Sequence, residues 1–183
     1  MRLVRKVECG LAGDAWEAAK ELSHLKPKHS VPRLRKAMRS ANRTENREAA
    51  AYALTWMDRP ELVADFATCV ADAAQPEGVR GQAAEGLACL GTYLRRNSQS
   101  FRQAETTLLS NLDSSSPIVR FWCCFALGQM RSKRAMSRLQ SLRREDHEVC
   151  PGWWKVSEEA SDALHSIRTG YWPDHDRKMG AAK

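Results

Sequence analysis

The sequence predicts an all-α fold, a right-handed α-solenoid of about five stacked helix pairs. Three observations lead there. A twelve-residue segment recurs along the chain, its apolar positions fall at helical spacing, and nowhere do four to eight residues alternate as a half-buried strand does. Three copies align without a gap: NREAAAYALTWM from Asn46, VRGQAAEGLACL from Val79 and VRFWCCFALGQM from Val119. Each has arginine at its second place (Arg47, Arg80, Arg120), small residues at places five and six, and leucine at place nine (Leu54, Leu87, Leu127). Weaker copies flank them, DAWEAAKELSHL from Asp14 with Leu22 and VSEEASDALHSI from Val156 with Leu164. The leucines lie 32, 33, 40 and 37 residues apart, room for two short helices and their turns.

The units fall near residues 1–25, 30–57, 60–90, 99–130 and 132–168, with 169–183 as an aromatic cap and frayed tail. In each repeated segment the buried stripe reads as Ala50, Ala53, Leu54 and Met57, or Ala83, Ala84, Leu87 and Leu90, or Cys123, Ala126, Leu127 and Met130. Second helices are expected over 31–41, 61–74, 99–112 and 135–143, with stripes such as Leu62, Phe66, Cys69, Val70 and Ala73. Breakers separate them: Lys26-Pro27, Arg59-Pro60, Gln75-Pro76-Glu77-Gly78 and residues 113–117. The last of these offers N-capping side chains and a proline for the first helical position. The two long intervals accommodate extra residues at 91–98 and 147–154. Trp153-Trp154 and Tyr171-Trp172-Pro173 are expected to fold together over the final repeat.

At 183 residues, 43% apolar and 28% charged, the chain can bury a core. No apolar run approaches the ~20 residues of a membrane span, and Arg5, Lys6 and Glu8 interrupt any signal-peptide core. A soluble, cytoplasmic protein is expected. Its six cysteines include no C-x-x-C pair and no zinc-type spacing, so they read as small apolar residues in a reducing compartment.

The Val-Arg-x-x-Ala-Ala-x-x-Leu form at 79–90, with its relatives at 47–57 and 119–130, resembles the HEAT repeat family, in particular the short bacterial HEAT-like repeats of the phycobilisome-lyase type. The resemblance runs from about Asp14 to Ile167; the end copies lack the arginine, as capping units are expected to deviate. It implies a binding scaffold whose repeated helices line a concave face. Places three, seven and eleven would then be exposed there: Trp16, Lys20 and His24; Glu48, Tyr52 and Trp56; Gly81, Glu85 and Cys89; Phe121, Phe125 and Gln129; Glu158, Asp162 and Ser166. Aromatic rings where a solvated helix would carry Glu, Lys or Gln suggest a groove for a protein partner. The candidate binding residues are Trp16, Lys20, Glu48, Tyr52, Trp56, Glu85, Phe121, Phe125, Gln129 and Asp162.

The net charge of +7 lies wholly in residues 1–47, which hold twelve Lys/Arg against five Asp/Glu. Lys28, Arg33, Arg35, Lys36 and Arg39 are therefore candidate anion contacts, and nucleic acid is the alternative partner. Against it, the expected groove runs from Lys20 and His24 through Glu48 and Glu85 to Glu158 and Asp162, which duplex DNA would find repulsive over most of its length. Mixed charge with aromatic anchors suits a polypeptide better. A second basic cluster, Arg131 to Arg144, is assigned to an outer, solvated helix.

Catalysis needs polar groups that converge on one site. His24, His29, His147, His165 and His175 are dispersed, and no H-E-x-x-H, G-x-S-x-G or phosphate-binding loop occurs. Only one His-Glu dipeptide, His147-Glu148, is present, where HEAT-like iron hydroxylases carry several. Asp174-His175-Asp176 falls short of a closed metal site. The expectation is a non-enzymatic scaffold or adaptor without metal or cofactor, docking a protein on its aromatic face. A third reading, an accessory subunit of a bilin lyase, rests on the resemblance alone.

Overall fold

The structure, a computed structural model, describes residues 2–174. Its ten α-helices fall into five antiparallel pairs. These are α1 (Arg2–Cys9) with α2 (Ala12–Leu25), α3 (Val31–Ser40) with α4 (Thr44–Thr55), and α5 (Val63–Ala71) with α6 (Glu77–Gly91). The last two are α7 (Gln99–Ser110) with α8 (Pro117–Gln129), and α9 (Met136–Glu145) with α10 (Val156–Thr169). Among the described residues there is no β-strand, only an isolated bridge between Val149 and Lys155. The fold is an all-α solenoid.

The even-numbered helices form one layer, each packed on the next, and the odd-numbered helices form the other. In that second layer α1 packs on α3 and α5 on α7, but the backbones of α3 and α5, and of α7 and α9, stay further apart. The layer in closer contact is taken as the inner one. Close contact follows from small side chains: Ala49, Ala50, Ala53, Ala83, Ala84, Ala126 and Ala163 are fully buried between neighbours. Gly86 carries this to its limit. A β-carbon there would stand 2.7 Å from the Phe66 ring, so α6 can lie on α5 only without one.

Three junctions between units share one device. The thirteenth place is a non-glycine residue in the left-handed region, Lys26 (φ 46°), Asp58 (φ 51°) and Arg131 (φ 51°). Each closes the inner helix and feeds a short 3-10 turn, at Lys28–Ser30, Pro60–Leu62 and Lys133–Ala135. The second of these turns, with Asp72 leaving the helix at the far end, makes α5 shorter than the expected 61–74. In the third unit the thirteenth place is Gly91, which stays helical; residues 92–98 then carry the chain to α7, and the Ser98 side chain accepts from the Phe101 amide. That detour is the 40-residue interval. The 37-residue interval is the loop 146–155, which doubles back between α9 and α10.

The recurring arginine ties the units together. Arg47 donates from Nε to the Ala41 carbonyl behind it (2.7 Å) and from Nη1 to Gln75 Oε1 in the next unit (3.2 Å). Arg80 repeats this with the Val70 carbonyl (3.0 Å) and Asn111 Oδ1 (2.8 Å). Arg120 does so with the Ser114 carbonyl (2.7 Å) and Asp146 (2.6 Å), adding Glu148 (3.1 Å). In the first unit, which has no such arginine, Asn46 reaches back instead, donating to the Val7 carbonyl (2.7 Å) at the end of α1. In the last, the backbone amides of Val156 and Ser157 donate to the backbone carbonyls of Glu148 and Asp146.

Arg120 and Asp146 are both nearly enclosed, their side chains 11% and 8% exposed. Arg120→Met strands the carboxylate and is expected to cost about 3–5 kcal/mol. Arg47→Met, which loses only neutral acceptors, should cost about 1–3 kcal/mol. Urea denaturation followed by far-UV circular dichroism checks the order; equal midpoints for the two variants would contradict it.

Candidate functional site

Because α4, α6 and α8 run parallel in one layer, their equivalent places form rows across the inner face. Place seven gives Tyr52, Glu85 and Phe125; place eleven gives Trp56, Cys89 and Gln129, all half-buried except Trp56, which is 38% exposed. Trp16 stands edge-on to Tyr52 at 5.6 Å, and Tyr52 to Trp56 at 6.3 Å. A second aromatic group begins at α8, where Trp122 meets Phe125 at 5.5 Å and Phe125 meets Trp172 at 5.2 Å. Between the two groups α6 presents no ring but the half-buried Gln82, Glu85 and Cys89, leaving a recess. Its lower end is a cavity of about 260 Å³ lined by Trp56, Ala88, Cys89, Tyr93, Phe125 and Gln129 among others.

Two carboxylates sit on this face. Glu48 lies against α6 where Gly78 leaves room: a β-carbon there would stand 2.0 Å from Glu48 Oε1. Burial pushes its pKa up, and nearby Glu45 adds to the shift. Burial also raises Glu85, opposed by the hydrogen bond it accepts from the Gln82 amide. Among the described residues neither forms an ion pair, whereas Lys20 is matched with Glu17 at 3.1 Å and Asp58 with Lys26.

Two of the candidate binding residues are not there, and Gly81 and Ser166, also expected on the open face, are buried. Phe121 is 1% exposed, boxed in by Trp122, Trp153 and Trp154 at 5.5, 6.0 and 5.6 Å. The loop 146–155 folds back over α8 and is anchored where Trp154 Nε1 donates to Glu159 Oε2 at 2.8 Å. Asp162 is 2% exposed because its strip of α10 turns toward α8: one turn on, Ser166 Oγ donates to the Gly128 carbonyl at 3.0 Å. The tryptophans also depart from the expected cap. Trp153, Trp154 and Trp172 pack on α8, between the last two units, and Tyr171 stays 77% exposed. Residues 175–183 of the expected tail, with His175 and Asp176, lie outside the described residues. Trp122, Trp153, Trp172 and Tyr93 contribute to the face without having been expected there. Gly81 signalled Trp122, since a β-carbon on it would stand 2.7 Å from that indole.

The basic segment is largely consumed by the scaffold. Arg33 donates from Nε to Glu8 at 2.8 Å, joining α3 to α1. Arg35 (2.8 Å) and Arg39 (3.2 Å) both hold Asp65, joining α3 to α5. Lys28 and Lys36 are exposed and, among the described residues, form no ion pair. Two scattered lysines do not make a phosphate-tracking surface, and nucleic acid is not supported. Among the described residues no group of three or more His, Cys, Asp or Glu could hold a metal, and no helix is long and apolar enough to cross a membrane.

Residues 14–88 match the family model of HEAT repeats, the part of the array from α2 to α6. A chain of the CpcE–CpcF complex of phycocyanin lyase from Nostoc sp. PCC7120 is similar over 88% of this chain and 95% of that one, with a TM-score of 0.72 and 19% identity. An engineered protein is similar over 94% and 81%, with a TM-score of 0.58 and 21% identity. No curated protein sequence matches. The likenesses are of fold, and HEAT repeats generally serve as scaffolds for protein interaction.

Burial pushes the Cys89 thiol up to about 11 and those of Cys69, Cys123 and Cys150 to about 12. At pH 8 iodoacetamide should therefore label exposed Cys9 well before Cys89, read by peptide mass spectrometry. Glu85, raised on folding, binds a proton more tightly folded than unfolded; its charge costs stability at neutral pH, and the cost fades as pH falls to the ordinary glutamate value. Glu85→Gln should raise the melting temperature at pH 7, and the gain should vanish near pH 4.

Proposed function

We propose that this chain is a non-enzymatic adaptor that docks a protein partner on the inner face of its HEAT-like array. The observation that carries the reading is the set of rings Trp16, Tyr52, Trp56, Trp122 and Phe125, which lie on α2, α4 and α8 on either side of α6 and are partly open to solvent. A repeat helix has no folding need for indoles and phenyl rings at places that its own pair leaves uncovered. Such rings supply large contact area at little entropic cost, and anchors of this kind dominate binding energy. The recess over α6 gives the face relief, so an extended segment or a helix could key into it rather than slide.

A second reading, a subunit of a bilin lyase, has only likeness of fold to the phycocyanin lyase chain behind it. Mixing with bilin and a phycobiliprotein would change absorbance if it holds and leave the spectrum unaltered if it does not.

The leading reading is tested by affinity capture from the native host with wild-type bait and with the Tyr52→Ala/Phe125→Ala double variant. Each truncation of an anchor is expected to cost about 2 kcal/mol or more. The double variant should therefore lose its partner while its far-UV spectrum stays helical, and Lys28→Glu/Lys36→Glu on the outer layer should keep it. Capture undiminished by the double variant would remove the inner face from consideration.

A further inference from the structure

The recess between the two aromatic groups differs from the rest of the inner face in charge. Among the residues that line its cavity there is no lysine or arginine; the one formal charge is the carboxylate of Asp58, at the rim and matched with Lys26. Upstream on the same helix strip stands Glu85, one turn above Cys89, and both Glu85 and Asp58 act electrostatically on the Cys89 thiol, which places the two carboxylates around one spot. Glu48 lies one turn above Tyr52 on α4. Glu48 and Glu85 have no cation among the described residues, whereas three more deeply buried carboxylates each have one: Asp65 two arginines, Glu105 Arg134 beside Ser132, and Asp146 Arg120. The walls beside them are the faces and edges of Tyr52, Trp56, Tyr93 and Phe125.

Resting on the adaptor reading, we infer that this recess receives a lysine or arginine side chain from the docked polypeptide, flanked there by apolar residues that lie on the two aromatic groups. A cation in the recess meets Glu85 in a poorly solvated setting, where the attraction exceeds its value in water. It also meets aromatic walls, which favour a cation over a neutral group of equal size. Arginine fits both at once, since its planar head stacks on a ring while its N–H groups reach a carboxylate. The apolar flanks bury against Tyr52 and Trp56 on one side and Trp122 and Phe125 on the other. A carboxylate-bearing segment is excluded by the same geometry.

Three synthetic heptapeptides that differ only at the centre, arginine, glutamine or glutamate between leucines, provide the probes. Their binding is read from the indole N–H resonances of Trp56 and Trp122 in the full chain. The arginine peptide is expected to shift both with saturation, at least tenfold more tightly than the glutamine peptide, and the glutamate peptide should not bind. Glu85→Gln should compress the arginine preference to less than about twofold, while Lys28→Glu leaves it unchanged. Equal binding of the arginine and glutamine peptides, or a preference that survives Glu85→Gln, overturns the inference. In those cases the indoles still respond, so the aromatic face keeps its role and only the cation is lost. If no peptide moves either indole at millimolar concentration, the inference falls, while the adaptor reading is decided separately by capture with the Tyr52→Ala/Phe125→Ala bait.

Discussion

The arginine at the second place of each central unit is the interaction on which the array depends. Arg47, Arg80 and Arg120 each hold a carbonyl at the end of their own outer helix and a side chain at the end of the next one. A hydrophobic stripe is tolerant of sliding, because one leucine contact is much like another. The guanidinium fork is not: its donors point in fixed directions and must all be met once it is buried. The arginine therefore fixes the register of successive pairs, and through it the rows of side chains on the inner face. Tyr52, Glu85 and Phe125 share a row because Arg47, Arg80 and Arg120 do.

Fixing the rows on one side dictates what the other side can carry. Alanines and glycines fill the seams, so the inner helices come close and their free faces merge into one surface. On that surface unit three is the exception: Glu85 stands where both neighbours carry rings, Tyr52 and Phe125, with Gly81 and Cys89 one turn to either side of it. Gly81 is itself a packing requirement, since it makes room for the Trp122 indole of the next unit. One substitution pattern thus produces both the recess and one of its walls.

The helices and their pairing could be read from the sequence because the signal was repeated: the same twelve places, with the same arginine and leucine, leave little choice of period. Tyr52, Trp56, Glu85 and Phe125 were legible for the same reason. Phe121 and Asp162 were not, because their exposure is decided by neighbours outside the repeat. Phe121 is covered by tryptophans on an insertion whose path no local rule specifies, and Asp162 belongs to the last inner helix, which packs on one side only. Arg33, Arg35 and Arg39 were counted as free positive charge, yet Glu8 and Asp65, remote in sequence, hold them. Composition records charge, and only topology records whether it is already matched.

That distinction bears on where binding energy can reside. A scaffold that answers its buried charges across unit boundaries gains register from each pair, but a pair already closed offers nothing to a partner. Asp65, Glu105 and Asp146 are closed in this way. Glu48 and Glu85 are desolvated by folding and get no cation in return, so both are driven toward protonation. Folding alone would favour glutamine at either site. Retaining a carboxylate there makes the folded chain less stable and leaves an attraction unspent between two aromatic walls, and a ligand that supplies the missing cation collects both the ion pair and the relief of that cost.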